Sequence, residues 1–236
     1  MTLLNEHADY SYPLVYRFLD KRFNSKQRFQ AICDNLLFLP KKLSALSALI
    51  YKTPLSVGEV IPDFEMTLSM TTHQPMEGYW VLELWHKPRN ELVYLLTFAK
   101  LGEALLISVV QGPNFEGSKE MVKQLTKTCH GLRPAYLMVE TMKALTKALG
   151  LTLLGIPQKY QNKSRFIQSS YYVVDYDAIF AESGGLLKDY WVLPLEIDRN
   201  LDDVPSKKRS MYRKRYAMLD DLSKVCLLYT SDAADE

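Results

Sequence analysis

The sequence predicts an α+β fold, with N-terminal helices, a central antiparallel meander, then α/β elements and a C-terminal basic helix. Three observations carry that reading. Apolar residues recur at three- and four-residue steps through the first fifty positions. Four short runs rich in β-branched and aromatic residues follow, divided by turn residues. After Gln111 the helical spacing returns.

Leu14, Phe18, Phe29, Ile32, Leu36, Leu39, Leu43, Leu46 and Ile50 give the first segment (Tyr12 to Tyr51) one apolar helical face. Asn24 and Ser25 supply an N-cap between a first and a second helix, and Pro40 is expected to break or kink the second. Lys52 to Pro62, with two prolines and a glycine, reads as a linker. Strands are expected at Phe64–Thr71, Tyr79–Trp85, Leu92–Phe98 and Ala104–Val110, joined by turns short enough to force antiparallel pairing. A helix over Ser118–Cys129 precedes a second that opens on Pro134 and stops at Gly150. Leu151–Ile156, Tyr171–Val174 and Tyr190–Leu195 read as strands, and a last helix runs from Pro205–Ser206 to Leu222. The expected organisation is a helical region over residues 1–55 and an α+β core of the same domain over 56–225.

A chain of 236 residues with 47% hydrophobic content can bury a substantial core. Its 29 basic residues nearly balance 27 acidic ones, which argues against bulk-charge binding to nucleic acid, and no specific nucleic acid partner is expected. The last eleven residues, 226–236, resemble a translated sequencing adapter and are expected to be foreign to the fold. Setting them aside leaves 24 acidic residues, a modestly basic chain, and two cysteines, Cys33 and Cys129. Those two lie far apart, without metal-ligand spacing, and read as free thiols of a reducing compartment. No signal peptide and no apolar run of roughly 18 residues stands out, so a cytoplasmic location is expected, or a periplasmic one if residues precede Met1. Phosphate-loop, dinucleotide and zinc signatures are absent, and neither metal nor cofactor motif is evident.

Three stretches can carry chemistry. Lys127, His130 and Arg133 gather two permanent cations and one titratable ring at a loop-to-helix junction, following a meander that ends in Gln111 and Gly112. Helix termini favour anions, so Gln111, Gly112, Lys127, His130 and Arg133 are candidate ligand residues, with His130 the candidate catalytic base. Solvated cations on a capped junction explain the same pattern. Lys163 and Arg165 lie in a polar loop after a predicted strand and join the candidates. Lys207, Lys208, Arg209, Arg213, Lys214 and Arg215 make the last helix basic, either as a solvated face or as a contact for anionic lipid or an envelope protein. Asp175 and Asp177 read as caps of a following helix, His73 and His86 as exposed turn residues.

The succession Leu95–Phe98, Val110–Gly112, Leu125–Lys127 and His130–Pro134 resembles the central block of the VirK/YbjX family. Asp175–Asp177, Glu182–Gly185, Leu193–Pro194 and Val204–Tyr216 continue the resemblance to roughly Leu222. Members carry a longer N-terminal helical region, so the chain is expected to start late. They also carry a histidine-containing segment where this chain has Tyr160–Arg165 without one. The resemblance implies virulence-factor export, outer-membrane remodelling or resistance to cationic peptides, with no reaction attached. The order of elements is similar to that of GNAT-type acyltransferases. The alternative expectation is therefore an acyltransferase with an acyl-CoA or acyl-carrier donor, marked by a split between two central strands beside Gln111.

Overall fold

The computed structural model describes residues 8–42, 50, 53–70, 75–162 and 174–231, the side chains of 39–42 and 227–231 excepted. Asn24 caps the long N-terminal helix as its side chain predicts. Its carboxamide oxygen accepts from Gln27 N (2.9 Å), and Gln27 returns the bond to Asn24 N (3.0 Å). A 3₁₀ turn (Ala8–Ser11) and α1 (Tyr12–Val15) precede it, and α2 (Ser25–Lys42) carries on past Pro40 rather than stopping there. Between them the chain is not helical. Leu19 adopts a positive φ of 60°, so Phe18 and Leu19 are buried by a turn in the chain and not by a helical face. Leu14 and Phe29, which the spacing placed inward, face solvent.

The four expected strands of the meander appear as β2 (Phe64–Met70), β3 (Trp80–His86), β4 (Glu91–Leu101) and β5 (Ala104–Gln111). The expected linker before them is itself a strand, β1 (Leu55–Ile61). Pro54 and Pro62 stand just outside its ends, and Gly58 sits at a register shift on the sheet edge. The residues that signal a break therefore fit an edge strand with a bulge. α3 (Ser118–Thr128) and α4 (Pro134–Ala148) follow, then β6 (Thr152–Gly155), α5 (Tyr176–Glu182), β7 (Leu186–Leu187), β8 (Trp191–Leu193) and α6 (Ser206–Ser231). The last helix extends beyond Leu222, and Cys226 on it is buried. The strand expected at Tyr171–Val174 lies outside the described residues except for Val174. The three cysteines are free.

The strands form one eight-stranded sheet in the order β1-β2-β3-β4-β5-β6-β8-β7. Every neighbouring pair is antiparallel except β5 and β6, which run parallel because α3 and α4 carry the chain back across the sheet. Consecutive residues Leu105, Leu106 and Ile107 have no exposed surface, so both faces of the centre are covered. One continuous apolar core takes residues from α2, the sheet and α3 to α6. Asn35 of α2, fully buried, donates to Ala31 O and Lys100 O and accepts from Lys100 N (2.7 Å), which pins that helix to β4.

At Gly155, the last residue of β6, Phe180 of α5 packs against the backbone: a Cβ there would stand 2.6 Å from the Phe180 ring. Gly155→Ala is expected to push α5 off the sheet and cost about 1–3 kcal/mol, read by urea denaturation. Unchanged stability would mean that the helix is not held by this contact.

Candidate functional site

β5 and β6 share only four register pairs, Ala104 with Thr152 through Ile107 with Gly155, closed by Ile156 N donating to Ile107 O. Beyond that point the strands part. β5 continues to Gln111, whereas β6 gives way to Pro157 and a 3₁₀ turn at Gln158–Tyr160. The parting coincides with a bulge at Ser108: Thr97 pairs with Val109 and Phe98 with Ile107, leaving Ser108 to donate its hydroxyl to Thr97 O (2.9 Å). An antiparallel edge would have continued the ladder. A short parallel pair followed by a bulge opens the sheet instead.

α5 bridges the opening. Asp175 caps it by accepting from Ala178 N (2.9 Å), as the aspartate pair predicts. Asp177 accepts from Gln158 N (3.0 Å) and Trp191 Nε1 (2.7 Å), and Gln158 accepts in turn from Tyr176 N. Held this way from the β6 side, Tyr176 reaches across and donates its phenolic proton to Val110 O of β5 (3.3 Å). Glu77, from the segment leading into β3, is 9% exposed, and its charge acts on Tyr176. Burial pushes the Glu77 carboxyl up to about 7 and holds the Tyr176 phenol well above the usual tyrosine range. Nothing in the local sequence marks Glu77. A carboxylate before a strand acquires meaning only once the fold has buried it.

A cavity of about 600 Å³ lies alongside, bounded by α3, the start of α4, α5 and Tyr94 of β4. Gly112 lets the Tyr94 phenol approach, since a Cβ there would lie 3.0 Å from its oxygen. Arg133 and Lys123 bring positive charge to this cavity. The Arg133 guanidinium stacks over Tyr136 (4.5 Å to the ring centroid), and its Nη2 donates to Glu182 (2.7 Å) and to the Tyr136 hydroxyl (2.8 Å). Tyr136 donates to Glu182 in the same cluster. Its phenol is pushed up to about 12, first by desolvation and then by that bond. On the other side of the α5 start is an open concavity lined by Arg17, Lys21, Gln158, Lys159 and Gln161. Asp175 borders both hollows, while Tyr176 is buried and lines neither.

Of the residues singled out from sequence, Gln111 ends β5, Gly112 lies against the Tyr94 phenol, and Arg133 lines the same cavity as Tyr94. Lys127 is exposed on α3, away from the lining of the cavity. His130 and Gly131 have positive φ and end α3. Their amides donate to Lys127 O and Thr126 O, and the His130 carbonyl accepts from both Nε and Nη2 of Arg215. The junction thus consumes its own amides, with His130 serving in a turn that seats α6. Cys129 beside it is buried, its thiol raised to about 12 by desolvation. Arg209 is likewise engaged, on Val204 O (3.0 Å), while Lys207, Lys208, Arg213 and Lys214 are exposed. Lys163, Arg165 and His73 lie outside the described residues. His86, expected to be exposed, is half-buried with its ring 4.9 Å from Phe64, because it is the last residue of β3 and pairs with Phe64 of β2. Among the described residues no cluster of potential metal ligands occurs, and no helix is long and apolar enough to cross a membrane.

The raised carboxyl of Glu77 has a thermodynamic signature. Between about pH 4.5 and 7 the folded protein holds a proton that the unfolded chain has released, so this group's stabilisation is complete below 4.5 and is lost as pH rises through 7. Glu77→Gln lacks that loss. Urea melts at pH 5 and pH 8 should show the variant gaining on the parent by up to roughly 3 kcal/mol between the two. A difference independent of pH would place Glu77 in a solvated setting.

The chain is 83% identical to an uncharacterized protein of Haemophilus influenzae, over 94% of this chain and 77% of that one. It is 69% identical to Membrane protein LapB of Mannheimia haemolytica, over 69% of this chain and 72% of the relative. It is 26% identical to the uncharacterized protein YbjX of Escherichia coli, over 86% and 66%. A solved cAMP-binding acyltransferase from Mycobacterium smegmatis, a point mutant, aligns at 9% identity with a TM-score of 0.32, over 75% of this chain and 59% of its own. The family model described as "Protein of unknown function (DUF535)" matches residues 1–226, and the chain belongs to that family, as its VirK/YbjX-like blocks predict.

Proposed function

We propose that this protein is an acyltransferase that takes its acyl group from a coenzyme A or acyl-carrier thioester. The carrying observation is the split between the parallel strands β5 and β6, bulged at Ser108 and open beside Gln111. Peptide groups of β5 beyond Ile107 have no ladder partner in β6, and an extended arm bearing amides can take that place as an added strand does. A thioester on such an arm would then lie at the point where the strands diverge. The adjoining cavity of about 600 Å³, with Arg133 and Lys123 on its wall and Tyr94 and Tyr136 beside them, suits the phosphates and flat base at the other end of the donor. Glu182 holds the Arg133 guanidinium at the cavity wall, so the cation is in place before a ligand arrives.

The relative's printed name, Membrane protein LapB, supports placing this activity at the cell envelope, where remodelling of acylated lipids would account for outer-membrane and cationic-peptide phenotypes. The exposed cations Lys207, Lys208, Arg213 and Lys214 suit an anionic surface nearby.

Isothermal titration with coenzyme A is expected to show binding that Arg133→Ala weakens about tenfold or more, the cost of one charge-assisted contact. Absence of binding to the parent protein, or binding indifferent to Arg133→Ala, would overturn the assignment of this cavity.

A further inference from the structure

We infer that the N-terminal turn and the β7–β8 hairpin form one membrane-docking face, which seats on a bilayer of anionic phospholipid with a headgroup phosphate in the basic hollow beside them. The contact holds whether or not the protein transfers acyl groups.

Two stretches distant in sequence leave large apolar or aromatic side chains in solvent. Of Tyr12 to Tyr16 only Pro13 is buried, and Val15 is 81% exposed. Leu186 (64% exposed) and Leu187 form β7, at the outer edge of the sheet. Arg22 ties the two stretches together. It follows α1 closely, reaches Asp189 in the turn after β7 (2.6 Å), and lies over the rings of Tyr160 and Tyr190. Clustered apolar exposure of this kind marks a surface that another body covers.

The neighbouring charges identify that body. Arg17, Lys21 and Lys159 line the open hollow, and none of the three has an ion-pair partner among the described residues. The two carboxylates on its wall are engaged, Asp175 with Ala178 N and Asp177 with Gln158 N and Trp191 Nε1. Gln161, 7% exposed, lines the same hollow, and its side-chain nitrogen has no partner among the described residues. Three cations and a spare amide donor suit an anion with several acceptor oxygens, as a phosphodiester headgroup supplies. Arg17 follows Tyr16 directly, its guanidinium 5.5 Å from that ring's centroid, so the apolar patch and the cations share one rim. Apolar side chains, then tyrosine rings, then cations follow the order of a bilayer from acyl chains to headgroups. A second copy of the chain docked on this face would set the same cations against one another.

The test floats the whole chain with vesicles of phosphatidylethanolamine and phosphatidylglycerol, and with vesicles of phosphatidylcholine alone. The parent is expected to rise with the anionic vesicles and not with the neutral ones. Val15→Ser combined with Leu186→Ser should abolish flotation. Arg17→Ala, Lys21→Ala and Lys159→Ala together should weaken binding roughly a hundredfold, about fivefold per cation. Circular dichroism checks that these variants keep the fold. Alanine at Lys207, Lys208, Arg213 and Lys214 instead should leave most of the binding. In the Tyr16→Trp variant the added fluorescence should shift to the blue on anionic vesicles and be quenched by brominated lipid, a readout that needs no loss of function. A parent that does not float would overturn the inference, as would equal flotation with both vesicle types. Binding abolished by the last-helix substitutions and spared by those on this face would overturn it too. Dimers broken by Val15→Ser in sedimentation, without vesicle binding, would give the face to a second copy.

Discussion

The short parallel pairing of β5 with β6 is the constraint on which the rest of the structure depends. The meander from β1 to β5 is local, each strand lying beside the one before it, and would close on itself as an ordinary antiparallel sheet. Four register pairs, from Ala104 with Thr152 to Ile107 with Gly155, attach the C-terminal strands to it. Parallel pairing needs a crossover, so α3 and α4 must lie on the sheet. It also brings the ends of two strands together at one edge of the molecule, and their divergence there makes the opening. Had β6 paired over the full length of β5, Gln111, Gly112 and Tyr176 would border a closed ladder.

A second tie closes the other side of the opening. Asp20, 1% exposed, accepts from Arg22 N, Nε and Nη2, and Arg22 also reaches Asp189 (2.6 Å). The Arg22 guanidinium lies over the Tyr160 ring (3.8 Å to the centroid) and near that of Tyr190 (4.9 Å). Asp20 also bridges to Gln161, and Lys21 N donates to Tyr160 O. A buried carboxylate is tolerated only with such complete pairing, and removing one partner would leave an uncompensated charge. The N-terminal segment is thereby fastened to the turn after β6, which sets the hollow that Arg17, Lys21, Lys159 and Asp175 line. The non-helical course of Phe18 to Asp20 is the cost of that fastening.

Much of this fold was legible because it is locally encoded. The meander strands, the cap at Asn24, the proline at the start of α4 and the glycine after it each follow from a side chain acting on its own backbone. β1 was hidden because its prolines and glycine signal interruption, and only an edge position with a bulge makes them compatible with a strand. The site was legible in part. Gln111, Gly112 and Arg133 stand out by type and place; Gly112 lies against Tyr94, and Arg133 lines a cavity with it. His130 stood out for the same reasons, yet its positive φ and its carbonyl bond to Arg215 make it part of a turn that seats α6. Glu77 carries no signal at all, because burial is not a property of its own segment.

The sequence by itself determined the α+β class, the family, the order of most elements and the exposed cations along the last helix. Hydrophobic period, turn chemistry and capping act over a few residues and are readable one segment at a time. The tertiary structure decided which strands run parallel, where they part, and which carboxylate loses its water there. Those are consequences of contacts between distant segments, and desolvation exists only once the chain has closed around the group it buries.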